Sequence, residues 1–148
     1  VIIAFYLVVI LTNVFSLKTI KLDVKIIKYH PAVNIFIDRK YINKKNDILL
    51  ENKFLIQQPR HNSQVIKIRS TKKVIIYRVL CKKNDNKFYR SWSRVNKEVE
   101  IKGITCIHNE LVTKKYLPGI IRLLPGGPVS SDPILVELTN NNTKLELF

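Results

Sequence analysis

From residue 18 to the C-terminus, apolar side chains recur at alternate positions, and no stretch of eleven or more residues carries a helical stripe. A period of two is the signature of a strand with one face buried and the other wet, whereas a surface helix needs apolar residues at spacings of three and four. The chain is therefore expected to be all-β. Ile20, Leu22, Val24 and Ile26 oppose Lys21, Asp23 and Lys25. Val33, Ile35 and Ile37 repeat the pattern after His30-Pro31, and Ile66 and Ile68 oppose Lys67 and Arg69. Val74 to Cys81 is more continuously apolar, as a central strand covered on both faces would be.

Turn signals divide these runs at roughly ten-residue intervals. The polar Lys82–Lys87 stretch predicts a hairpin joining Val74–Cys81 to Phe88–Arg94, and Asn96-Lys97 predicts the next turn. Pro118-Gly119 and Pro125-Gly126 carry the proline and glycine that a type II turn requires at its two central positions. Asn140-Asn141-Asn142 predicts a closing hairpin between Ile134–Leu138 and Lys144–Leu147. About ten strands without helices point to a single-domain antiparallel β-sandwich, with a β-trefoil or other small barrel as the alternative. The three stretches a trefoil would repeat, beginning at Lys18, Gln64 and Val99, share no signature residue.

Residues 1–16 hold no charge and open with an apolar run from Val1 to Leu11. That length suits the core of a secretory signal, while Lys18 and Lys21 arrive too early for a membrane-spanning helix of about 20 residues. Val14 and Ser16 fit a signal-peptidase site, so residues 1–16 are expected to be a signal peptide truncated at its start. Residues 17–148 are then one exported domain without a transmembrane span. In that setting Cys81 and Cys106, the only two cysteines, are expected to form a disulfide. Asn141-Asn142-Thr143 is an N-glycosylation acceptor sequence at a surface turn, with Asn141 as the acceptor.

The charge is large and lopsided. The 148 residues carry a formal net charge of +15. Residues 17–102 hold 22 basic and 7 acidic side chains, and residues 103–148 hold 4 of each. Phe88, Arg90, Trp92 and Arg94 alternate along one run, so a strand there would present rings and guanidinium groups on one face. Such a face has fork-shaped donors for anions and flat surfaces for stacking, although Trp92 has an alternative place in the core with the arginines at its edges. Lys67, Arg69, Lys72, Lys73, Lys82, Lys83 and Lys87 lie close by in sequence and would extend this patch into a stripe suited to a polyanion.

No catalytic signature accompanies the charge. Four glycines cannot build a phosphate-cradling loop, and no nucleophile elbow surrounds any serine. Cys106 and His108 share one face of a strand, but no metal-ligand spacing supports them, and neither a cofactor nor a metal is expected. The leading expectation is a small secreted non-catalytic binding protein that engages an anionic glycan or an acidic protein surface, with nucleic acid a further polyanion of the same class. One alternative is a secreted basic nuclease using two of His30, His61 and His108 as acid and base. Another is a cytokine-like module whose Ile120–Leu124 segment contacts a cell-surface receptor.

Overall fold

A computed structural model describes residues 23–30, 32–37, 42–43, 52–81, 90–99, 101–102, 109–125 and 133–148. Residues 1–16, and with them the expected signal, lie outside the described residues. The elements are β1 (Lys25–Lys28), β2 (Ile42–Asn43), β3 (Phe54–Gln57), β4 (Ile66–Ser70), β5 (Val74–Cys81), β6 (Ser93–Val99), β7 (Ile101–Lys102), β8 (Asn109–Tyr116), β9 (Gly119–Leu123), β10 (Ile134–Leu138) and β11 (Leu145–Leu147). They form a six-stranded sheet in the order β1-β3-β10-β5-β8-β6, a three-stranded sheet in the order β11-β4-β9, and the pair β2-β7. All strand pairings are antiparallel and neither larger sheet closes on itself, so the fold is an all-β sandwich and not a barrel.

Of the five connections that lead from one sheet to the other, three lie together at one end of the sandwich. Residues 71–73 lead from β4 to β5, residues 117–118 from β8 to β9, and residues 139–144 from β10 to β11. The Thr71 amide donates to the Lys144 carbonyl at 3.1 Å, and the Lys144 amide donates back to Thr71 Oγ1 at 2.9 Å. The Thr139 hydroxyl donates to the Lys73 carbonyl at 2.6 Å. Links this short can cross only to the strand directly opposite, so β11, β4 and β9 lie over β10, β5 and β8. The positive φ expected of Gly119 is present, at 129°, and it falls where the chain leaves one sheet and enters the other.

Both faces of the large sheet are covered. Between the sheets, Ile66, Ile68, Ile121 and Leu123 of the small sheet pack with Val74, Ile76, Leu80, Val112, Ile134 and Val136 of the large one. On the reverse side, Leu55, Val79, Leu111 and Leu135 pack beneath Tyr29, Ile35 and Phe36. This two-sided burial explains why β5 and β10 read as apolar runs, whereas β4, covered on one side only, alternates strictly between buried and exposed.

Four sequence expectations give way here. β8 lies between β5 and β6, so Val74–Cys81 makes no hairpin with the segment that follows it. β6 begins at Ser93 and runs through Asn96-Lys97, where a turn was expected. The step from Arg94 to Glu98 is matched on β8 by the step from Val112 to Glu110, so these polar residues form a bulge rather than a reversal. Leu145–Leu147 pairs with β4 and not with Ile134–Leu138, because both edges of β10 are already taken by β3 and β5. Finally, Ile35 and Phe36 are both buried in succession, with only an isolated bridge from Phe36 to Gln58, so the second expected strand is a covering loop.

Candidate binding face and groove

The small sheet buries one side of each strand and leaves the other to solvent. On β4 the outward residues are Lys67 and Arg69. Register places Arg122 of β9 opposite Lys67, and Ile120 of β9 and Glu146 of β11 on the two sides of Arg69. Phe148 extends β11 by donating its amide to the Lys67 carbonyl at 3.2 Å, and the Arg69 guanidinium lies 5.1 Å from the Phe148 ring centre. Leu124 continues the outward phase of β9. Of the four large exposed apolar residues among those described, Ile120, Leu124 and Phe148 are thus associated with this face, and Leu117 is in the link that enters β9.

Among the described residues, the one acid on the face does little to neutralise it. Glu146 Oε2 is 3.8 Å from Arg69 Nη1, with the two side chains 67% and 54% exposed. An exposed pair of this kind is worth between nothing and about 1 kcal/mol, so Arg69 gives it up at little cost.

Six strands are wider than three by about 14 Å at the usual spacing of about 4.8 Å, and β6 therefore projects beyond the edge of β9. A groove of about 240 Å³ opens along this margin. Its walls bring together Arg78 of β5, Trp92 of the turn before β6, Lys114 and Tyr116 of β8, and Arg122 of β9. Arg78 stands at an inward position between Ile76 and Leu80 and is 1% exposed. Its Nη2 donates to the Leu124 carbonyl at 2.6 Å, and its guanidinium lies 5.7 Å from the Trp92 ring centre. Trp92 meets Tyr116 edge to face at 6.2 Å, and Lys114 Nζ lies 5.4 Å from the Tyr116 ring centre. Burial raises the Tyr116 phenol above its ordinary pKa, with the Arg78 charge opposing, so the hydroxyl stays protonated at neutral pH.

The residues singled out from sequence divide among several places. Lys67 and Arg69 are exposed on the small sheet, and Lys72 and Lys73 are exposed in the link at its end. Arg90 is exposed before β6, whereas Trp92 is 7% exposed and belongs to the core between the sheets. Arg94 Nε lies 3.3 Å from Glu110 Oε1, whose side chain is 6% exposed. Arg90, Trp92 and Arg94 therefore do not form one alternating strand face, because β6 starts only at Ser93. Trp92 takes its place in the core, while one edge of it lines the groove beside Arg78.

Lys82, Lys83, Lys87, Cys106 and His108 lie outside the described residues, and Cys81 is described only as the backbone end of β5. His30 and His61 are exposed, and His30 Nδ1 accepts the Ala32 amide at 3.1 Å. Asn141 is exposed in the turn from β10 to β11. No helix among the described residues is long and apolar enough to cross a membrane.

Sequence reasoning overlooked Arg78, Lys114 and Arg122. Arg78 had a visible signal, since it is the one charge in the phase Val74, Ile76, Arg78, Leu80. A charge at an inward position of a central strand must be satisfied there or serve a site. Lys114 and Arg122 had none, because only the crossing at 117–118 folds β9 back over β8.

Comparison with known protein families, with curated proteins and with solved structures finds no match to this chain.

Proposed function

We propose that this chain is a non-catalytic binding module, secreted by way of residues 1–16, that engages an acidic protein surface through the outer face of its small sheet. The observation that carries this reading is the mixture on that face, where Lys67, Arg69 and Arg122 stand among Ile120, Leu124 and Phe148. A sulfated glycan is served by cations alone. A protein interface combines apolar with charged contacts, and here the cations of the central strand β4 are flanked by exposed apolar side chains on β9 and at the end of β11. The net charge of +15 supplies long-range attraction to an acidic partner and a faster encounter. A disulfide between Cys81 and Cys106 and a glycan on Asn141 belong to the same extracellular reading.

Three probes separate a protein partner from a glycan: a short peptide alternating Glu with Leu, oligoglutamate, and a heparin oligosaccharide. Fluorescence anisotropy is expected to rank the Glu-Leu peptide tightest. The double substitution Ile120→Ser and Leu124→Ser is expected to weaken that peptide by about tenfold, roughly 1.4 kcal/mol, with little effect on heparin. Tightest binding to heparin, untouched by those substitutions, would overturn the protein reading in favour of a glycan.

A further inference from the structure

The groove beside the face has its own chemistry. Among the described residues its lining includes three cations, Arg78, Lys114 and Arg122, and no carboxylate. Its volume of about 240 Å³ is below the roughly 300–1,000 Å³ of pockets that hold drug-sized molecules, which limits the occupant to about one side chain.

We propose that the groove is an anion-anchoring pocket that takes the carboxylate of a single aspartate or glutamate side chain presented by the acidic partner. This rests on the proposed binding of an acidic protein and names the contact that would dominate it. Arg122 connects the two surfaces, since it stands opposite Lys67 on the face and also lines the groove. A segment lying on the small sheet therefore reaches the groove at the β9 edge. Arg78 is held before any ligand arrives, by the Leu124 carbonyl on one side and the Trp92 ring on the other. Ligand binding then costs little ordering of this side chain. The walls of Trp92 and Tyr116 displace water from around the charges, and an ion pair in such surroundings is stronger than one on an open face. Lys114 and Arg122 stand nearer solvent than Arg78 and provide the cations that an entering carboxylate meets first. A ring-lined groove that holds a buried arginine, beside a broader, wetter contact surface, is the arrangement in which a few residues carry most of the binding energy.

Trp92 is the chain's single tryptophan, so its fluorescence reports on the groove without a label. N-acetylglutamate amide, its neutral glutamine counterpart, inorganic phosphate and a sulfated heparin disaccharide are titrated against the full chain. The glutamate compound is expected to change the emission saturably and the glutamine compound is not. Lys114→Ala should weaken the glutamate response at least tenfold, while Lys72→Ala with Lys73→Ala, two exposed cations in the link at the end of the sandwich, leaves it within about twofold. Circular dichroism and thermal melting establish that each variant is folded.

No response to the glutamate compound, or one indifferent to Lys114→Ala, would overturn the pocket. A stronger response to phosphate or to the sulfated disaccharide would overturn the carboxylate assignment in favour of those anions. The pocket and the face fail separately. Unaltered Glu-Leu peptide binding by the Lys114 variant, with no glutamate response in the parent, removes the pocket and spares the face. A retained glutamate response with no peptide binding removes the face.

Discussion

Trp92→Ala is expected to lower the free energy of unfolding by about 3–5 kcal/mol, the usual cost of deleting a large buried ring. Arg90→Ala, two residues earlier and exposed, should change it by no more than about 0.5 kcal/mol. The contrast follows from where β6 begins. Residues 90–92 form a turn and not a strand, so the ring swings into the core against Tyr116 and Arg78 while Arg90 remains in water. Urea unfolding followed by circular dichroism measures both. A double-mutant cycle with Arg78→Met should reveal a Trp92–Arg78 coupling of about 0.5–2 kcal/mol, as expected for a cation held over a desolvated ring. A Trp92→Ala cost below about 1 kcal/mol would mean that the ring is a surface group after all.

The second large effect is on binding. Reversing two charges at once, with Lys67→Glu and Arg69→Glu, is expected to weaken the Glu-Leu peptide by at least about a hundredfold, because like charges facing one another across an interface cost several kcal/mol. Both positions are exposed and outward-facing on β4, so stability should move little. Lys72→Glu with Lys73→Glu changes the net charge by the same amount at the end of the sandwich. It should weaken the peptide only by the smaller factor that long-range attraction supplies, and that factor should vanish as salt is raised. Equal losses in the two pairs would show that net charge, not the face, does the binding.

Much of the architecture is legible from local pattern, and the limits are physical. The alternation of Ile66, Lys67, Ile68 and Arg69 is a property of one strand half buried, and it survives into β4 unchanged. The apolar run of Val74–Cys81 announced a central strand, which β5 is. Partnership between strands is not local. Asn140-Asn141-Asn142 reads as a hairpin turn, yet the same polar residues serve equally well to carry the chain across the sandwich, and only the occupied edges of β10 decide between the two. Asn96-Lys97 likewise reads as a turn because the sequence does not show that β8 offers a longer partner past it.

The candidate face was half visible for the same reason. Lys67 and Arg69 declare themselves on one strand, but Arg122 joins them only through the register of β4 with β9. Trp92 was placed with Arg90 and Arg94 by assuming that strand alternation extends back to Phe88. The ring instead meets Arg78, fourteen residues away in sequence and inside the sandwich.

The proposed function requires the small sheet's outer face and the adjoining groove to act as one surface for an acidic partner. An amide-by-amide NMR titration of the isotope-labelled full chain with the Glu-Leu peptide tests this most directly. Shifts confined to β4, β9, β11 and the Trp92 indole, saturating together at one affinity, are the predicted result. Shifts spread evenly over lysine-bearing segments around the whole molecule, or concentrated on the reverse side of the large sheet, would contradict it.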